Sequence, residues 1–200
     1  MWLQEMEMSA YEAILARRSV RRYSAREVDR NTIGALLKAA VCAPTSMQAE
    51  PWAFVIIQNK TLLRQISDRA KSLMAAESKG FDIGRTHRTA ISLNHKNFNL
   101  FYDAGTLIVI GTSTEDTFSS ADCWLAAENL MLAACAMGLG TCVISSVRSV
   151  LNSALGKGEL GVPESYSAIA PIIVGYPRGE TSPVPRRVPV VLVHWPAEQP

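Results

Sequence analysis

The chain has 200 residues, enough for one sizeable core. Hydrophobic residues make up 48% and charged residues 19%, which excludes a disordered polyelectrolyte. A formal net charge of +2 is too small for general attraction to nucleic acid or an anionic membrane, so a local basic cluster needs a local explanation.

S-A-Y-E, Ser9 to Glu12, has the form of a capping box, in which the serine hydroxyl accepts an amide three residues on and the glutamate reaches back. A helix is predicted from there to about Arg17, where Arg17 and Arg18 favour the negative pole of its dipole. A second helix is predicted from near Asp29, because Ile33, Leu36, Leu37, Ala40 and Val41 share one face of a 3.6-residue period. It must stop near Ala43, since Pro44 disfavours helical geometry in the residue before it. W-A-F-V-I-I-Q, Trp52 to Gln58, reads as a buried strand. Thr61 opens a third helix that ends before Gly80 and turns Leu62, Leu63, Ile66, Ala70 and Leu73 inward.

Residues 78–95 are polar and weakly patterned, as functional insertions in compact domains are. Helix is expected again from about Ile91 to Tyr102, followed by a buried strand in G-T-L-I-V-I-G-T. Ser119 or Ser120 is expected to cap a long central helix, apolar on most sides, that Gly138 ends. T-C-V-I-S then reads as a short strand, V-R-S-V-L-N-S-A-L as a short helix and S-A-I-A-P-I-I-V-G as a fourth main strand. The tail from Tyr176 carries four prolines before V-V-L-V-H-W, Val190 to Trp195, a predicted strand at the end of an extended arm. An arm that reaches away from its own body often crosses to a partner subunit. The element order suggests one sheet with helices on its faces.

Cys42, Cys123, Cys135 and Cys142 show no C-x-x-C spacing and read as reduced thiols. His87, His95 and His194 have no partner at ligand spacing, so no metal site is expected. The N-terminus lacks a basic start followed by a long apolar run, and no uninterrupted apolar stretch reaches about twenty residues. A cytoplasmic setting without a membrane span is the expectation.

I-L-A-R-R-S-V-R-R-Y places Arg17, Arg18, Arg21 and Arg22 within six positions. Such a turn is either a solvated basic surface or a grip for one phosphate monoester, which guanidinium groups bind bidentately and Ser19 assists. Nucleic acid fits less well, because no basic stripe with interleaved aromatics extends the cluster. G-L-G-T, Gly138 to Thr141, follows a helix and precedes a strand, the reverse of the order that dinucleotide-binding loops require. No spacing singles out a catalytic triad. A-P-T-S-M-Q-A-E-P-W, Ala43 to Trp52, is either a plain loop or a polar pocket lining anchored by Trp52.

Taken together, the stretch from Ile14 to Ile57, the central helix with the strand after it, A-I-A-P-I-I-V-G-Y-P and R-R-V-P-V-V-L-V-H-W resemble the nitroreductase-like flavoproteins, in the family's order. The resemblance covers most of the chain, with residues 78–95 outside it. It implies an α+β fold: a central mixed β-sheet flanked by helices on both faces, a three-layer sandwich whose C-terminal arm is exchanged in a homodimer. One domain would span residues 1–200, with 78–95 a variable substrate-side segment and 176–200 the arm.

The same resemblance assigns FMN as cofactor. Arg17, Arg18, Ser19 and Arg21 would grip its phosphate, with Arg187 in the arm completing that site; Arg22 would be structural. Pro44, Thr45, Ser46 and Gln48 would line the flavin, and Val143, Ile144 and Ser145 would approach the reactive edge of the ring. It further implies ping-pong hydride transfer from NADH or NADPH to a nitroaromatic, quinone or similar flat acceptor, with no side chain acting as acid or base. Many members have Asn where Gln48 stands and Gln where Glu50 precedes Pro51-Trp52. The E-P-W form is similar to a reductive dehalogenase branch.

Overall fold

Ser9 closes the capping box as its sequence requires: the Glu12 amide donates to Ser9 Oγ at 3.2 Å and the Ser9 amide donates to Glu12 Oε2 at 2.7 Å. In the computed structural model, which describes residues 8–77, 98–114 and 118–195, this box opens helix α1, Ala10–Ala16. Asp29 caps α2, Arg30–Ala40, through amide bonds from Asn31 and Thr32. Strand β1 is Trp52–Ile57, and α3 runs Lys60–Glu77. Then come β2 (Thr106–Thr112), α4 (Ser119–Ala136), β3 (Gly140–Val143), the short helices α5 (Arg148–Leu151) and α6 (Ala154–Leu160), and β4 (Ser167–Gly175).

The sheet order is β1-β2-β4-β3, and all three strand pairs are antiparallel. The one parallel pairing among the described residues is an isolated bridge between Ser19 and Thr141, which lays the arginine turn beside β3. Every residue of β2 is buried. Leu107 and Val109 enter one apolar cluster and Ile108 and Ile110 another, so both sheet faces are covered, as the two-residue period of a strand demands. Helices α3, α5 and α6 contribute to the first cluster, α2 and α4 to the second. In α4, Ala126, Ala127 and Ala134 are fully buried, and their small side chains let the helix lie close on the sheet. No helix among the described residues is long and apolar enough to cross a membrane.

Four expectations need correction. The long helix α4 starts after Phe118, whose side chain makes no capping hydrogen bond; Ser119 is inside the helix and buried. Residues 91–97 of the helix expected over Ile91–Tyr102 lie outside the described residues, and its remainder is turn. There Asn99 Oδ1 takes the Phe101 amide at 3.0 Å, and Tyr102 and Asp103 adopt φ of 52° and 59°, which no right-handed helix admits. Residues 190–195 form no strand: Val190, Val191, Leu192, Val193 and Trp195 are exposed on a tail that meets no sheet edge of its own chain. The short helix expected from Val147 is two pieces, because Ser153 ends α5 and caps α6 through the Gly156 amide at 3.0 Å. The polar segment 78–95 lies outside the described residues.

Candidate functional site

The arginine turn crosses the end of the sheet where β3 begins and β4 finishes. The Val20 amide donates to Thr141 O at 2.9 Å, and Tyr23 bridges Pro177 just beyond β4. The Tyr23 hydroxyl donates to Val20 O at 2.8 Å inside the protein and pins the turn to itself. Burial pushes that phenol well above its ordinary range, so it remains a donor. G-L-G-T thereby acquires its structural role: Gly138, at φ 72°, ends α4, and Gly140 leaves room for Val20.

The four arginines separate into different environments. Arg17 stands half-buried with Nε 3.3 Å from Glu128 Oε1 on α4, yet that buried nitrogen makes no hydrogen bond to the protein. Arg18 donates from Nη1 to the carbonyls of Leu15 at 2.6 Å and Arg17 at 2.9 Å, satisfying the C-terminal end of α1. Both line a cavity of about 260 Å³ with Leu139, Thr141, Gly179 and Thr181. Arg21 turns elsewhere. It lines a cavity of about 150 Å³ with Val143, Ile144 and Ser145, and its guanidinium lies 5.9 Å from the centre of the Tyr102 ring.

Thus Arg21 meets all three ring-edge candidates, while Arg17 and Arg18 meet each other. Ser19 is exposed between them and lies with Arg21 against the Cys142 thiol. Burial raises the Cys142 thiol, and these two neighbours only partly offset it. Pro44, Thr45, Ser46 and Gln48 stand apart: none of them, nor Arg187, lines any of the cavities that the arginine turn lines. Their loop is held under evident strain. Met47, Gln48 and Glu50 have φ of 52°, 56° and 43°, and Met47 is almost completely exposed.

Sequence reasoning missed the residue that fixes this loop. Asp122, buried in the first turn of α4, takes the Ser46 amide on both carboxylate oxygens at 3.3 Å. An acid in a helix's first turn reads as a dipole partner, and 76 positions separate it from Ser46. Tyr102, Phe98 and Cys142, which share the smaller cavity with Arg21, were missed as well. Cys142 adjoins the nominated Val143, and that adjacency was the available clue.

Residues 14–176 match the model of the Nitroreductase family. The chain is 29% identical over 176 residues to a protein of Methanothermobacter thermautotrophicus named provisionally as an NADH dehydrogenase/NAD(P)H nitroreductase, covering 86% of this chain and 78% of the relative. Its fold is similar to that of a nitroreductase with bound FMN from Bacteroides fragilis, with a TM-score of 0.77, 24% identity, and 93% and 97% of the two chains covered. It is similar also to an iodotyrosine deiodinase bound to FMN and 3-iodo-L-tyrosine, with a TM-score of 0.75, 23% identity, and 92% and 97% covered.

Proposed function

The chain belongs to the nitroreductase family, and from that premise we propose that it is an FMN-dependent oxidoreductase using NADH or NADPH to reduce a nitroaromatic, quinone or other flat electrophile. The observation that carries this reading is the convergence of Arg21 with Val143, Ile144 and Ser145 in one cavity, one turn of chain away from Arg17 and Ser19. The residues present fit the cofactor. Arg17 brings a half-buried guanidinium, ion-paired through Nε to Glu128, and Ser19 an exposed hydroxyl; donors of both kinds suit phosphate oxygens.

The chemistry that FMN would supply when bound is hydride transfer between a nicotinamide and the acceptor. The protein's own part is electrostatic and steric. Arg17, Arg18, Ser19 and Arg187 would hold the terminal phosphate of FMN. Arg21 places positive charge where negative charge develops on reduction, and this stabilises the reduced state. Val143, Ile144 and Ser145 shape the edge of the ring pocket, and apolar Met74, Phe98 and Leu100 beside them exclude water. No side chain is needed as an acid or base.

Homodimerisation belongs to the same reading. The arginine-turn cavities and the loop 44–48 are separate within one chain. Two copies join them if the loop of one subunit closes on the arginine turn of the other. The exposed apolar tail, Val188 to Trp195, gains a sheet edge or helix face on the second copy. Residues 78–95 would form the variable wall that selects the acceptor.

The test is the visible spectrum of freshly purified protein, before and after NADPH is added without oxygen. A yellow protein that bleaches supports the reading; a preparation that stays colourless in excess FMN refutes it. Reductive dehalogenation is the second reading, favoured by Glu50-Pro51-Trp52 and by likeness to the deiodinase fold. Halide release from a halogenated phenol, with no turnover of nitroaromatics, would select it.

A further inference from the structure

Arg22 takes no part in the phosphate grip described above, yet it is not a stray surface charge. It lines a cavity of about 550 Å³ together with Arg21, Arg26, Lys60, Arg178 and a single carboxylate, Asp103. The cavity shares Arg21, Phe98 and Tyr102 with the smaller one that holds the ring-edge candidates, so the two adjoin.

The placement of Arg22 is forced by the backbone. Tyr23 and Pro177 form an antiparallel bridge, and the Arg178 amide donates to Arg22 O at 2.9 Å. Arg22 and Arg178 therefore stand opposite each other, and residues so paired project to the same face, where like charges repel. Neither guanidinium has a carboxylate partner among the described residues. Arg26 lies over the Tyr176 ring, its guanidinium carbon 3.8 Å from the centre, which positions a third guanidinium. Lys60 is paired with Glu27 at 3.2 Å, and Asp103 accepts from Asn99 Nδ2 at 3.0 Å without an ion pair to any of the arginines, so positive charge exceeds negative in the cavity lining. Tyr102 and Asp103, on the cavity wall, keep left-handed backbone that ordinary residues adopt only when the surroundings impose it.

We propose that this cavity binds the adenosine 2′-phosphate end of NADPH, an inference that rests on the hydride-donor reading above. Three guanidinium groups that make no ion pair among the described residues match a phosphate monoester better than a neutral ribose, because guanidinium and phosphate pair bidentately. Phe98 and Tyr102, packed edge to face with ring centres 5.6 Å apart, line the same cavity and give the adenine an aromatic wall. A dinucleotide with its nicotinamide against the ring pocket passes its phosphates along the shared wall at Arg21. Arg22 thus acquires a role, and the protein acquires a preference for NADPH over NADH.

The test uses purified holoprotein with 2′,5′-ADP, 5′-AMP and inorganic phosphate as calorimetric probes. We expect 2′,5′-ADP to bind at least ~10-fold more tightly than 5′-AMP and to weaken as salt is raised. Arg22→Gln and Arg178→Gln should each weaken 2′,5′-ADP by ~10-fold and raise the KM for NADPH more than that for NADH. Should either variant fold poorly, Lys60→Gln on the exposed start of α3 reads the same site with a smaller loss. Equal affinity for the two nucleotides, equal molar competition by inorganic phosphate, or 2′,5′-ADP binding untouched by the variants overturns the proposal. The titration does not depend on flavin. A colourless protein that still discriminates 2′,5′-ADP supports this cavity and sinks the flavoprotein reading, whereas a yellow one that does not discriminate does the reverse.

Discussion

Gly140 and Gly175 face each other across β3 and β4, and the side chains of Val20 and Tyr23 fill the space that two Cβ atoms would need. A Cβ on Gly140 would lie 2.7 Å from Val20 Cγ2, and one on Gly175 2.8 Å from Tyr23 Cδ1. The glycine pair is thus the seat on which the arginine turn rests.

Gly140→Ala is expected to lift that turn. Val20 is β-branched and stiff, so it cannot swing clear, and overpacking of this kind costs about 1–3 kcal/mol. Flavin retention should fall together with stability. Urea denaturation and the flavin-to-protein absorbance ratio check both, and a variant with an unchanged midpoint and full colour contradicts the seat.

Arg21→Ala removes the cation that meets Val143, Ile144 and Ser145. Losing a hydrogen bond from a charged side chain costs about 1.5–3 kcal/mol of binding. Exhaustive dialysis should strip the variant of flavin while wild type stays yellow. Equal flavin content after dialysis would count against the assignment.

Asp122→Ala leaves the half-buried Ser46 amide without its acceptor, and a hydrogen bond to a charged group contributes about 1.5–3 kcal/mol. The strained loop from Thr45 to Glu50 should loosen, and proteolysis should cut there first. Asp122→Asn retains a side-chain oxygen and is expected to restore most of the protection. Identical digestion patterns for all three proteins would refute the anchoring role.

Removal of residues 186–200 deletes the exposed apolar tail and Arg187 together. Sedimentation should show a shift toward monomer and a loss of bound flavin. A truncated chain that stays dimeric and yellow rules out the arm as the exchanged element.

The helix caps give stability a defined acid limit. Hydrogen bonds from Ser9 lower the Glu12 carboxyl, and those from Thr32 lower that of Asp29. A carboxyl depressed in the folded state stabilises the fold above its unfolded pKa, and that contribution disappears as pH falls through the folded value. Melting temperature should therefore drop as pH is taken below the ordinary carboxylate range. Glu12→Gln and Asp29→Asn should flatten the drop, which a thermal series across acid pH measures.

Local chemistry was legible wherever the deciding partners lie within a few residues. The capping box at Ser9, the Asp29 cap, the end of α4 at Gly138 and strand β4 from Ser167 to Gly175 could all be read from spacing alone. The arginine cluster was legible as a candidate anion grip because charge density needs no tertiary context. What sequence spacing could not decide was how the cluster divides. Only the bridges Ser19–Thr141 and Tyr23–Pro177 send Arg17 toward Glu128, Arg21 toward Val143 and Arg22 toward Arg178. Asp122 was invisible for the same reason, since its partner Ser46 is distant in the chain. The tail from Val190 to Trp195 shows the converse limit: its β-forming composition is plain, but a strand is a pairing, and the tail pairs with neither edge of its own sheet, β1 or β3. Periodicity and capping are properties of neighbours along the backbone, so the amino-acid order determines them; the direction in which a charged side chain points depends on which strands come together, and that belongs to the tertiary structure.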